Sequence, residues 1–439
     1  CSVTGSIEVG REIEDQIRKQ GLLQTDIAVG TTLVDMYAKC GSLEKAQEVF
    51  HELPMQNVIS WTALIAGYAL YGHGNEALRC FRQMKDEGVL PNTVTYICVL
   101  KACGIVGSLE IGEDIYAQVK KQGLLQKDVT LGTALVDMYA KCGIIEKALE
   151  VFQQLRGRNV ATWTALITGY VQHGRSQDAL KWFRQMKDEG LSPDSVTYIC
   201  ILKACSSVSL EIGEDIDAEV RKQGLLQKDI VLGNTLVDMY AKCGAIEKAR
   251  EVFEQLSSKD VVSWNVMISG YAQNGYSEDV ILLFDRMQHE GIEPNNVTFN
   301  TMIAAHSQHG YCDEAIHLFN RMQKEGFLPD LITWNTFLSG QAQHGEDRAV
   351  LQLFGEMMET GISPNKVTFL SVIKASSNLA SIHDGEICNH VIIESSLESD
   401  MMVVSTLIDM YARCGNLKHA KLVFEKMRTC NVMIWTAMI

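Results

Sequence analysis

Apolar positions recur along this chain at helical spacing, in pairs of runs separated by glycine. Between 160 and 194, Trp163, Leu166, Ile167 and Tyr170 fall at i, i+3, i+4 and i+7, one face of a helix. Gly174 breaks that run and suits a left-handed turn. A second run, with Ser176 as its expected cap, sets Ala179, Leu180, Phe183 and Met186 on one face before Gly190 and Pro193 stop it. The pattern returns throughout: "TALVDMYAKCG" at 133–143 comes back at 31–41, 234–244 and 405–415 with few changes. A single helical hairpin cannot bury both of its faces, so successive units must stack into an all-α solenoid superhelix.

Aligning the helix starts gives complete units at 27–57, 58–92, 93–128, 129–159, 160–194, 195–229, 230–260, 261–295, 296–330, 331–365, 366–400 and 401–431. Their lengths are 31, 35 or 36 residues, and no linker divides them, so one continuous array is expected. Residues 1–26 match the tail of a further unit and 432–439 open another, which leads us to expect a piece of a longer array.

Composition narrows the function. The 439 residues are 46% hydrophobic, ample for a core. The 39 Lys and Arg against 54 Asp and Glu leave a net charge of −15, which argues against coating nucleic acid by bulk attraction. No apolar run reaches eighteen residues, so no membrane span is expected. Thirteen cysteines contain no C-x-x-C, and Cys40, Cys142 and Cys243 share one repeat position, as small buried hydrophobes in a reducing compartment would. Cys98, Cys103, Cys200 and Cys205 are expected in the core, and the acidic clusters at 110–115 and 211–216 at exposed helix starts. No P-loop, catalytic triad or metal set emerges. The chain is therefore expected to be non-catalytic, with no cofactor and no small-molecule substrate.

The run W-N-x-(M/L)-I-x-G-Y, followed by F-x-x-M and G-x-x-P-(D/N), is seen in "VSWNVMISGYAQNGYSEDVILLFDRMQHEGIEPN" at 262–295. It resembles the pentatricopeptide repeat, and the cycle of unit lengths resembles its P-L-S subclass, found in plant organellar RNA-editing specificity factors. The resemblance implies a right-handed superhelix that binds single-stranded RNA, one base per repeat. It also implies a mitochondrial or chloroplast setting, with a targeting segment outside these residues, and editing cofactors or a deaminase as partners. On this assignment the units from 27 onward run S, P, L, S, P, L, S, P, P, P, L, S; three P units in a row at 261–365 depart from the strict order. That departure favours the alternative of RNA stabilisation or processing by site-specific binding. A protein-binding scaffold is a further alternative. Of the deaminase signature H-x-E…P-C-x-x-C only His344–Glu346 is present, at a turn that matches 173–175 and 309–311, and no C-x-x-C follows.

In the family's code, the fifth and the last residue of each repeat meet a base edge. Asp only accepts hydrogen bonds and suits the ring N–H of guanine or uracil; Asn can donate and suits adenine or cytosine. Thr or Ser at position five goes with purines, and Asn with pyrimidines. Thr31 with Asn57, Thr62 with Asn92, Thr133 with Asn159 and Ser405 with Asn431 then imply A, and Thr164 with Asp194 implies G. Asn234 with Asp260 and Asn300 with Asp330 imply U; Asn265 with Asn295 and Asn335 with Asn365 imply C, with U tolerated. Ile97, Ile199 and Leu370 at position five of the L units cannot hydrogen-bond and leave their bases unread. The implied target is 5′-AAnAGnUCUCnA-3′. Ile59, Val231, Val262, Val297 and Ile332 at position two match the family's base-sandwiching wedges, the alternative being core packing. Lys39, Lys141, Lys242 and Arg413 at position thirteen match its phosphate-facing cations, the alternative being a solvated face.

Overall fold

The computed structural model describes residues 7–395, 397 and 400–425, and its described residues are overwhelmingly α-helical. The chain divides into two compact units, residues 1–218 and 219–439. In the first, an inner row of helices consists of Ile27–Lys39, Val58–Leu70, Thr93–Val106, Val129–Lys141, Val160–Gln172 and Ser195–Val208, each packed on the next. Each is followed by a shorter or equal outer helix, as Val160–Gln172 is by Ser176–Asp188. The second unit repeats the scheme with an inner row from Ile230–Lys242 to Met401–Arg413 and an outer row from Ile246–Gln255 to Leu417–Glu425. Each unit is an α-solenoid, the fold class that the periodicity predicts.

Repeat length has a local cause. The outer helices of the 35-residue repeats span thirteen residues; Gly74–Asp86, for one, ends at a left-handed glycine, Gly88 with φ 76°. In the 31-residue repeats they span ten, as in Leu43–Glu52, and stop at an extended leucine, Leu53. The anticipated cap Ser176 is instead the first helical residue; Arg175 occupies the cap with no side-chain bond, and Ser176 Oγ meets Ser207 Oγ at 3.2 Å. A capping serine must be extended and sit one residue earlier.

Position four of the inner helices holds the stack together. Trp61, Trp163, Trp264 and Trp334 are at most 1% exposed. Each meets a phenylalanine from the preceding outer helix edge-on, at centroid distances of 4.5 Å to Phe50, 4.7 Å to Phe152 and 4.9 Å to Phe253 and Phe319. Such pairs add about 0.5–1.5 kcal/mol beyond area burial. Close approach of the inner helices is set six residues later. A Cβ built on Gly169 would lie 2.5 Å from Ala140 Cβ, and one on Gly67 2.6 Å from Ala38 Cβ. Only glycine lets neighbouring inner helices sit this close.

The cysteines divide. Cys103 and Cys205 are buried, but Cys98, Cys200, Cys40, Cys142 and Cys243 are only half-buried, a correction to the expectation of core positions. The cysteine of "YAKCG" caps the helix end, where neighbouring helices cover one side only. Burial pushes the Cys103 and Cys388 thiols up to about 12 and Cys80 to about 11. Native-state alkylation at pH 8 should therefore spare these three, and labelling them at the rate of an unfolded thiol would contradict this burial. Above about pH 8.5 the unfolded chain gives up these protons first, so stability should fall as pH rises there.

Candidate nucleic-acid interface

The last residue of a repeat is, in every described case, the cap of the next inner helix. Asn57, Asn92, Asn159, Asp194, Asp260, Asn295, Asp330 and Asn365 are all extended, and each accepts a backbone N–H of the first helical turn on Oδ1. Capping does not use up the side chain. The cap ties down Oδ1 and leaves one atom over, Oδ2 in Asp or Nδ2 in Asn. That remaining atom is the only chemical difference between the two residues, acceptor against donor.

Position five lies deeper, on the wall between adjacent inner helices. Thr31, Thr62, Thr164, Asn234, Asn265 and Ser405 are at most 9% exposed, while Thr133, Asn300 and Asn335 are half-buried. Where the pairs meet, they do so in two ways. Asn265 Nδ2 donates to Asn295 Oδ1 at 3.2 Å, and Asn335 Nδ2 to Asn365 Oδ1 at 3.1 Å. Thr62, Thr133 and Thr164 reach Asn92, Asn159 and Asp194 through an intervening hydroxyl. Asn300 stands close enough to Asp330 for its amide to help hold the carboxyl ionised. Ser405 donates to Met402 O at 3.0 Å, and its partner Asn431 lies outside the described residues.

That intervening hydroxyl escapes a reading of positions two, five, thirteen and the last. It belongs to position three: Ser60, Thr95, Thr162, Thr197, Ser263, Thr298, Thr333 and Thr368, all at most 1% exposed. Its sequence signal is the recurring (N/D)-x-x-(S/T), a capping box. Thr298 Oγ1 accepts the Asn295 N–H at 3.1 Å and donates to Asn265 Oδ1 at 2.7 Å. Thr368 does the same between Asn365 and Asn335, at 3.1 and 2.6 Å. The hydroxyl thus fixes which way the position-five amide faces. Where position three is serine, Thr31 Oγ1 and Asn234 Oδ1 are buried without a partner. Thr333 donates to Asp330 at 2.9 Å instead, which leaves Asn300 Oδ1 unpartnered. Burial raises the Asp330 carboxyl, but the Thr333 amide and hydroxyl and the Asn300 amide outweigh it and hold the group below its ordinary value, ionised and accepting at neutral pH.

A test follows at Thr298. If position five reads the base, Thr298→Val should cut the preference for C over A at the Asn265 step about fivefold, the loss of one hydrogen bond. Equal discrimination in the Val variant, read by competition binding, would rule out the orienting role.

Position two lies at the surface. Ile59, Val231, Val262, Val297 and Ile332 are 52–64% exposed, so they are not core packing. Val94, Val196 and Val367 share this register and exposure, though the sequence reading did not single them out. In the first unit one of them, Val196, opens on a groove of about 530 Å³ that is also lined by Thr133, Thr164, Asp194, Ile97 and Lys141. At position thirteen the expected free basic row is altered. Lys39, Lys141, Lys242 and Arg413 each pair with an aspartate one turn earlier, at 2.7, 2.7, 2.7 and 2.8 Å. The i,i+4 spacing of Asp35, Asp137, Asp238 and Asp409 dictates these pairs.

His344–Glu346 lies at a turn: His344 caps one helix, Gly345 has φ 79° and Glu346 precedes the next. Among the described residues, no group of three or more His, Cys, Asp or Glu could hold a metal ion, and no helix is long and apolar enough to cross a membrane.

Helix pairs stacked in this register define an α-solenoid repeat protein, and sequence comparison specifies which. The PPR repeat family matches residues 56–104, 158–207, 259–306, 294–340 and 329–378, and a second PPR repeat profile matches 31–58, 133–160, 234–261 and 403–432. The chain belongs to the pentatricopeptide repeat family. The chloroplastic pentatricopeptide repeat-containing protein At5g55740 of Arabidopsis thaliana is 45% identical over 444 residues, covering 100% of this chain and 53% of the relative. The mitochondrial At1g06140 of the same plant is 34% identical over 300 residues, covering 68% and 53%. The chain spans about half the length of these relatives. Among solved structures, PPR10 in complex with an 18-nt psaJ RNA element superposes with a TM-score of 0.65 at 19% identity, over 94% of this chain and 62% of that one.

Proposed function

We propose that this chain binds single-stranded RNA sequence-specifically, one base per repeat, with 5′-AAnAGnUCUCnA-3′ as its target. The observation that carries this reading is the groove of the first unit, where a position-five hydroxyl, a capping carboxylate and an exposed aliphatic wedge stand together. A base laid against Val196 would present its edge to Thr164 and Asp194. The repeat boundaries given above supply the register of that target. We assign the chain the role of targeting module for organellar C-to-U editing, with the deaminase or editing cofactors as partners. PPR10 is captured with RNA, and the relatives named above are chloroplastic or mitochondrial. Selection of bound RNA from a random pool should return the target string, with the L-unit positions degenerate. Recovery of an unrelated consensus, or of none, overturns the reading. Since each position-thirteen cation already has a carboxylate partner, binding should depend on salt weakly, with a log–log slope well under ten.

A further inference from the structure

The S units cancel their own charge on each inner helix: four cations at position thirteen face four aspartates at position nine. The L units differ. Their position nine is Lys101, Lys203 and Lys374, all exposed, with none of the three ammonium groups in an ion pair or hydrogen bond. Each stands one helical turn, about 6 Å, beyond an aliphatic position five: Ile97, Ile199 or Leu370. Lys101 lines the same groove as Thr164 and Asp194. Lys141, by contrast, has its stem against Gly104 and its ammonium on Asp137. The polar relay is missing at these steps as well. Position three of the following helix is Leu131, Leu232 or Val403, each fully buried, where other steps carry a hydroxyl.

We propose that the L units are backbone clamps: Lys101, Lys203 and Lys374 hold RNA phosphates at the steps where no base is read. The inference rests on the RNA-binding reading and gives the L units a task of their own. An unpaired ammonium loses no protein partner when it takes a phosphate, whereas Lys39, Lys141, Lys242 and Arg413 must first leave a carboxylate. In a chain of net charge −15, these lysines are the uncancelled positive charge of positions nine and thirteen.

The test uses the whole chain with the selected RNA. The triple variant Lys101→Gln, Lys203→Gln, Lys374→Gln should lower the slope of log affinity against log salt by about 2, at about 0.7 per phosphate on a single strand. Cognate-to-mismatch ratios should stay as in the parent. A control triple on outer helices, Lys121→Gln, Lys181→Gln, Lys324→Gln, carries the same charge change and should leave the slope in place. An unchanged slope in the groove variant, or an equal fall in both variants, overturns the clamp while RNA binding by the parent stands. A parent chain that binds no single-stranded RNA overturns the RNA reading, and the clamp with it.

Discussion

Asp194→Asn is expected to switch the fifth base of the target from G to A. The cap geometry carries over, because Asp194 accepts the Thr197 N–H at 2.8 Å and its hydroxyl at 2.7 Å on Oδ1, the atom both residues share. Asn159 already caps its helix in this way, with φ −106° against −96° at Asp194. What changes is the free atom, from an oxygen that accepts the guanine N1–H to an NH₂ that donates to adenine N1. Asn and Asp rank together as helix caps, so stability should move by less than about 1 kcal/mol. A lost pairing at one base costs about 1–3 kcal/mol, so the preference should swing by roughly tenfold or more in each direction. Competition between two 12-mers that differ only at that base measures it. An unaltered G preference would remove the base-reading assignment of the capping residues.

Trp163→Ala should produce the largest loss of stability, about 3–5 kcal/mol from the emptied volume. The indole N–H of Trp163 is buried without a partner, and deleting it returns part of that, so the lower end is expected. The ring joins one repeat to the preceding one through Phe152. Stability in a solenoid is a sum of repeat and neighbour-interface contributions, so the damage falls on cooperativity as well. Urea unfolding should show a broadened or split transition in the Ala variant. Trp163→Phe should stay within about 1.5 kcal/mol, since Phe299 and Phe369 fill this register elsewhere and are fully buried. A loss below 1 kcal/mol for Ala would mean that the aromatic seam does not join the repeats.

The legible part of this protein is what repetition amplifies. The apolar faces named at 160–194, from Trp163 to Met186, are all buried, and the turn glycines Gly174 and Gly190 have φ of 71° and 80°. The capping role of Asp194 and its equivalents was also readable, because a cap is set by a few neighbouring residues. Contacts across repeats were harder. The hydroxyl of Thr298 reaches Asn265, 33 residues away, and no local rule announces that pairing. The ion pairs of position thirteen follow from i,i+4 spacings that the sequence carries. Position two could not be decided from sequence, because an aliphatic side chain reads alike in a core and on an exposed wall; only the exposure of Ile59 and its counterparts decides it.

The contact of Gly169 with Ala140 reaches beyond packing. It fixes the stride from one inner helix to the next, and a strand of nucleotides laid along that wall has a stride of its own. A methyl group added at Gly169 would widen one rung only, yet every base past that rung would be offset from its reader. The penalty would thus grow with the length of RNA engaged, and short oligonucleotides spanning only one side of the widened rung would bind as before. The smallest side chain in the helix therefore sets the gauge of its own rung.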